Sequence, residues 1–335
     1  MPPLSVLDLA TVGSGSTPAL ALADTTRLAV EAERLGYERF WVAEHHAMPA
    51  VASSAPAVLI AHLAAATATI RVGSGGVMLP NHSPLVVAEQ FGTLEALHPG
   101  RIDLGIGRAP GTDPATARAL RRSAAVGPDT FPEDLVELVR YLADTDDPPV
   151  HPSANPGRGY LPEVWLLGSS LYSAQLAGML GLPFAFAYHF SPGPVDAALE
   201  TYRTNFRTGL YGRPHAMVAV SALCAPTEEE ARWLAGPSAL SILQLRTGRL
   251  GPLPSPEEAA AYRFSPEEKA VIEQVMATHV IGDPPAVRSG LDALVQRTGA
   301  DELIISTRAH SFEARLQSLE LIASLYLERR DSPAA

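Results

Sequence analysis

The chain has 335 residues, 47% of them hydrophobic and 18% charged, and a formal net charge of −11. That composition suits a large globular core and argues against disorder, and so acidic a chain is a poor partner for phosphate backbones or anionic lipid. A single cysteine, Cys224, excludes an internal disulfide and any cysteine-based metal site; a single lysine, Lys269, lies in the charged segment SPEEKAVIEQ, so P-loop and Schiff-base chemistry drop out.

The first residues, MPPLSVLDLA, carry no basic region ahead of the apolar run. The apolar stretch near residues 55–70 is broken by His62 and stops at Arg71, short of a bilayer span. The expectation is a cytoplasmic protein without leader or membrane segment. In chain order, strand patterns fall at Leu4–Leu9, Glu38–Ala43, Ile70–Gly75, Arg101–Ile106, Val164–Leu167, Phe184–Ala187, Met217–Leu223 and Leu303–Ile305. Helical patterns run over Ala19–Leu35, Pro56–Thr67, Pro84–Leu97, Pro132–Leu142, Ser170–Leu180, Val195–Phe206, Val287–Thr298 and Phe312–Leu327, with stop signals at Gly36, Gly181 and Gly299. Eight strands, each followed by helical pattern, predict an α/β fold of the (β/α)8 TIM-barrel type in one domain, residues 1–335. Two stretches interrupt the rhythm. Residues 123–162 form an insertion after the fourth strand. Residues 225–282 form one after the seventh, with helix starts at Thr227, Ser255 and Ser265, each followed by carboxylates. On a barrel this second insertion stands over the C-terminal mouth, which makes it a lid candidate.

A barrel gathers its chemistry at the C-terminal strand tips. Those tips read Glu44-His45-His46, Ser74-Gly75-Gly76, Gly105-Ile106-Gly107-Arg108, Gly168-Ser169-Ser170, Tyr188-His189-Phe190 and Ser306-Thr307-Arg308. Glycine, serine and arginine at the tips suit an anionic ligand approached closely by backbone. Gly168-Ser169-Ser170 opens a helix whose first-turn amides and hydroxyls can hold a phosphate or serve only as an ordinary cap. A guanidinium at Arg108 suits phosphate. Neighbouring residues at a strand end point oppositely, so one histidine of the His45-His46 pair faces the mouth and the other packs or caps. A metal would need a third ligand such as His82 or His189; no spacing specifies one, and no metal is expected.

Three blocks in order, LGYERFWVAEHH, RVGSGGVMLPNHSPLVVAEQFGTLEALHPGRIDLGIGRAPG and VWLLGSSLYSAQLAGMLGLPFAFAYHF, resemble the bacterial-luciferase-like flavin monooxygenases, in particular the alkanal monooxygenase-like branch, over nearly the whole chain. The resemblance implies a TIM barrel that binds FMN at its mouth, takes it reduced from a separate NAD(P)H:flavin reductase, and adds O2 to form a peroxyflavin that oxidises a small, largely apolar substrate. It implies catalytic roles for His45 and Glu44, flavin contacts at Ser74, Gly75 and Gly76, and phosphate contacts at Arg108, Gly168, Ser169, Ser170, Tyr172 and Ser173. It further implies a homodimer packed through helices near the second and third strands. The chain departs from the light-emitting luciferases at Gly107, where they carry a cysteine, at Gly168, where the family has a glutamate, and at Gly75-Gly76, where theirs is a bulkier pair. A sister branch uses a deazaflavin on the same barrel, and a flavin-binding protein without turnover is the third reading.

Overall fold

Alternation along the strands closes the sheet. The computed structural model describes residues 1–109, 114–120, 130–144, 151–191 and 193–326. Its strands are β1 (Leu4–Asp8), β2 (Arg39–Val42), β3 (Arg71–Ser74), β4 (Val77–Met78), β5 (Ile102–Gly107), β6 (Glu163–Gly168), β7 (Phe184–Phe186), β8 (Ala216–Cys224), β9 (Val280–Gly282) and β10 (Glu302–Ser306). Eight of these pair in parallel in the order β1-β2-β3-β5-β6-β7-β8-β10, and β10 returns to β1. The expected TIM barrel is therefore present. Two short strands escaped the sequence reading. β4 extends the sheet beside the end of β5, and β9 beside the end of β8.

One residue in two on each strand faces outward. Leu4, Val6, Phe40, Val42, Val72, Ile102, Leu104, Val164, Leu166, Phe184, Val218 and Leu303 are buried there against the helices. Those are α1 (Pro18–Leu35), α2 (Pro56–Ala66), α3 (Pro84–Leu97), α4 (Pro114–Leu120), α5 (Phe131–Leu142), α6 (Leu171–Leu180), α7 (Val195–Asn205), α8 (Glu228–Arg246), α9 (Pro256–Ala261), α10 (Pro266–Met276), α11 (Pro284–Thr298) and α12 (Phe312–Tyr326). Local sequence sets their ends. Thr17 caps α1 by accepting the Leu20 amide, Pro18 follows, and Gly36 at φ 88° turns the chain out through the left-handed region. Thr227, Ser255 and Ser265 cap α8, α9 and α10 as expected.

The alternate residues face inward and form layers. At the N-terminal end lies an ion cluster that the sequence reading did not foresee. Arg39 reaches both Asp103 oxygens at 3.0 Å, Glu302 at 3.1 Å and Glu163 at 3.3 Å, while Arg71 meets Asp103 and Glu163. Trp41 Nε1–H donates to Asp103 Oδ2 at 2.8 Å, and Ser5 donates to Glu302. Burial opposes the charge on Arg39, but the surrounding carboxylates outweigh it and raise its pKa. Above the cluster sits an apolar layer of Leu7, Trp41, Trp165, Ala185, Met217, Ala219 and Ile304. This layer plugs the barrel and makes the floor of what lies above.

Residues 225–282 carry α8, α9, α10 and β9, and side chains from this stretch roof the mouth. Of the insertion expected at 123–162, residues 123–129 and 145–150 lie outside the described residues; the rest includes α5. Among the described residues, no helix is long and apolar enough to cross a membrane.

Candidate functional site

Two cavities open above the apolar plug. The first, of about 380 Å3, is floored by Leu7, Trp41, Ala185, Ala219 and Ile304 and walled by Gly75, Gly76, Met78, Gly107, Leu167 and Ala187. The second, of about 400 Å3, runs under α8. They share Leu9, His45, His189 and Phe190, so His45 stands at their junction.

One end of the first cavity is built for an anion. Arg108, Ser169, Ser170 and Ser173 line it together, and among the described residues no carboxylate does. The Arg108 guanidinium lies 4.7 Å from the centre of the Tyr172 ring, which fixes its direction. Ser170 caps α6 in a reciprocal arrangement: its Oγ accepts the Ser173 amide, and Ser173 Oγ accepts the Ser170 amide. The amides of Leu171 and Tyr172, at the first turn, have no acceptor within the helix, and the dipole there favours negative charge. Gly168 serves this cap from beneath. A Cβ on Gly168 would fall 2.0 Å from Ser173 Oγ, so only glycine leaves room for the capping serine. Ser170 and Ser173 are thus engaged in the cap, which leaves Ser169, Arg108 and the first-turn amides to face a ligand.

The histidine pair divides as strand alternation predicts. His45 lines both cavities, whereas His46 turns back to Glu44. Glu44 is fully buried and lines neither cavity. His46 and His82 lie against Glu44 Oε1 through their Nε2 atoms at 2.9 and 2.8 Å, and the Met78 amide donates to Oε2 at 3.0 Å. Burial pushes the Glu44 pKa up, but these hydrogen bonds win and hold it below the usual carboxylate value. Glu44 accordingly ties the tip of β2 to β4 and to the turn at Leu79–Asn81, the segment that follows Gly75 and Gly76. Ser74 is also buried away from the cavity, and its hydroxyl donates to the Gly105 carbonyl across the wall. The Gly75–Gly76 peptide is cis, and both glycines line the first cavity. Of the expected site residues, His45, Gly75, Gly76, Arg108, Gly168, Ser169, Ser170 and Ser173 meet at one cavity; Glu44 and Ser74 stand buried one layer behind, and Tyr172 lies exposed beside Arg108, outside the lining.

The sequence reading saw His189 and Arg308 at strand tips without assigning them to the cavity, and missed His279 and Ser241. All four line the second cavity. The signal that finds two of them is the inward alternation continued past the strand ends. Ala185, Ala187 and His189 follow one another at two-residue steps after β7, as do Ile304, Ser306 and Arg308 after β10.

Comparison with known proteins identifies the family. The family described as luciferase-like monooxygenase matches residues 3–302. A protein of Escherichia coli (strain K12) described as a luciferase-like monooxygenase is 48% identical over 318 residues, which is 95% of either chain. The N-acetyl-S-alkylcysteine monooxygenase of Bacillus subtilis (strain 168) is 37% identical, covering 97% of this chain and 98% of its own. The crystal structure of apo-MsnO8 superposes with a TM-score of 0.92 at 40% identity, over 98% of this chain and all of that one. The resemblance carried by the three sequence blocks extends over nearly the whole chain and its fold, and the chain belongs to the luciferase-like monooxygenase family.

Proposed function

We propose that the protein is an FMN-dependent monooxygenase that uses reduced FMN and O2 to oxidise a small, largely apolar organic molecule, with reduced flavin delivered by a separate NAD(P)H:flavin reductase. The observation that carries this reading is the first cavity: an anion-holding end at Arg108 and the start of α6, a flat glycine wall at Gly75–Gly76, an apolar floor, and His45 at the junction with a second cavity. The donor set fits a phosphate ester on a planar ring, and among the described residues no acidic side chain lines the cavity to oppose it.

When bound, reduced FMN supplies the electrons by which one oxygen atom of O2 enters the substrate and the other leaves as water. The chain's own residues do the rest. Arg108, Ser169 and the amides of Leu171 and Tyr172 hold the phosphate. Tyr172 aims the guanidinium, and Gly168 and Ser173 keep the first turn of α6 open. Glu44 positions the glycine wall through Met78, His46 and His82. His45 holds or passes a proton through its ring nitrogen where the two cavities meet. The stretch 225–282 excludes water once both ligands are seated.

The reading is tested by titrating the protein with FMN, riboflavin and a 5-deazaflavin while following flavin fluorescence. Arg108→Leu should weaken FMN binding about tenfold to a hundredfold, the worth of charge-assisted hydrogen bonds, and leave riboflavin within about twofold. His45→Ala should leave FMN affinity unchanged while product formation from reduced FMN and O2 falls about a hundredfold or more. Saturation by the deazaflavin alone would move the chain to the deazaflavin branch, and product formation untouched in His45→Ala would remove the role given to that histidine.

A further inference from the structure

The second cavity is mostly apolar, and one of its corners carries a guanidinium that no carboxylate among the described residues meets. Arg308 follows β10 and lines the wall. Its Nη2 donates to Ser241 Oγ on α8 at 3.3 Å, and its Nε–H is buried without an acceptor. Among the described residues, none that lines the cavity is Asp or Glu. A guanidinium stays charged and offers five donors in a rigid fork. Set in an apolar wall with donors unmade, it is costly until an anion answers it.

His189 and His279 flank this corner and do not compete for the anion. Burial brings the His189 pKa down to about 3 and lowers that of His279, so both rings are neutral. Each ring is bonded to a main-chain carbonyl, of Ala219 and of His189 respectively. That leaves His189 Nδ1 and His279 Nε2 as bare acceptors. Within the corner the guanidinium supplies the charge, and its unmade N–H groups and the Ser241 hydroxyl are the donors. A second guanidinium, that of Arg246, stands at the exposed end of α8 on the rim and adds to the same field.

We propose that Arg308 receives a carboxylate carried by the substrate, whose apolar remainder runs along Leu9, Val51, Ile242 and Val275 toward His45. The substrate class is thus an apolar organic acid rather than a neutral hydrocarbon, aldehyde or ketone. This rests on reading the first cavity as the flavin site, which leaves the second for the substrate.

The test is isothermal titration of the full chain, without flavin, with octanoate, 4-phenylbutyrate and the amide of each. At least one carboxylate should bind saturably and at least about tenfold more tightly than its own amide. Arg308→Gln should erase that preference, Arg308→Lys should keep part of it, and FMN titrated into Arg308→Gln should bind within about twofold of the parent, which also reports that the variant is folded. If no acid is preferred tenfold over its amide, or if the preference survives in Arg308→Gln, the proposal is overturned. Displacement of the bound carboxylate by FMN would place both ligands in one cavity and overturn it as well. A wild-type protein that prefers the carboxylate but shows no FMN signal would refute the flavin reading alone and leave Arg308 as the anion anchor.

Discussion

Arg39 is the sharpest place to test how this barrel is held shut. Its guanidinium reaches Asp103, Glu302 and Glu163 at 3.0–3.3 Å from a position only 7% exposed, with Asp103 and Glu302 at 0% and 1%. Arg39→Met keeps the length of the side chain and removes the charge. Three carboxylates then share Arg71 and His215, and two of them have almost no access to water. Breaking a buried ion pair by removing one partner costs about 3–5 kcal/mol, a large part of a total stability of about 5–15 kcal/mol. With a urea m-value of about 3 kcal/mol/M, the midpoint should fall by about 1–1.7 M. Adding Glu302→Gln should recover roughly half of the loss, because it removes one of the carboxylates stranded by the first change. The cluster lies at the N-terminal end, below the apolar plug, so the folded fraction of Arg39→Met should bind FMN as the parent does. A midpoint shift equivalent to less than about 1 kcal/mol would show that the cluster is solvated and that the plug carries the closure by itself.

Gly168→Ala should lower stability by about 1–3 kcal/mol and weaken FMN binding, since the new Cβ lies 2.0 Å from Ser173 Oγ; adding Ser173→Gly should recover part of both, as read by urea midpoint and flavin fluorescence. Glu44 has its pKa held below the usual value in the fold, so its carboxylate contributes stability that is present above about pH 4.5 and lost as the pH falls through the folded-state value. The stability gap between the parent and Glu44→Gln should therefore be full at pH 6–7 and shrink as the pH falls below about 4.5, measured by urea denaturation across that range. Val58, on α2, is 72% exposed; if the chain pairs through this face as a homodimer, Val58→Asp should shift the mass seen by light scattering toward the monomer, and an unchanged dimer would exclude that face.

The parts of the fold that depend on period and punctuation were legible in the sequence. Eight apolar strand runs, glycine stops such as Gly36 and Gly181, and serine or threonine caps at residues 227, 255 and 265 act locally, so local sequence carries them. The parts that depend on closure were not. Arg39, Asp103, Glu163 and Glu302 lie far apart in the chain, and in a strand read alone each looks like a solvated position. Only when β10 meets β1 do these charges fall into one layer. β4 and β9 have two and three residues and are too short to show a period. They become strands because the ends of β5 and β8 offer them partners.

Strand parity accounts for part of which expected site residues reach the ligand space; Gly76, Arg108, Gly168 and Ser170, on the opposite count, line the cavity at or past the strand ends. Along β2 and beyond, Arg39, Trp41, Ala43 and His45 point inward, passing from ion cluster to plug to cavity. Val42, Glu44 and His46 point outward or into the wall. After β3 the same count puts Gly75 at the cavity and Ser74 on the Gly105 carbonyl. After β6 it carries Glu163, Trp165 and Leu167 to Ser169. After β10 it carries Glu302, Ile304 and Ser306 to Arg308. Beyond the plug and its apolar wall these series end in His45, Ser169 and Arg308, each able to donate a hydrogen bond. The rule also explains why Glu44 sits back from the ring space even though it adjoins His45: moving one residue along a strand moves a side chain to the opposite face. Among the described residues no carboxylate lines either cavity, and the inward series end in His45, Ser169 and Arg308, which is the arrangement that the proposed pair of anionic ligands meeting at one histidine requires.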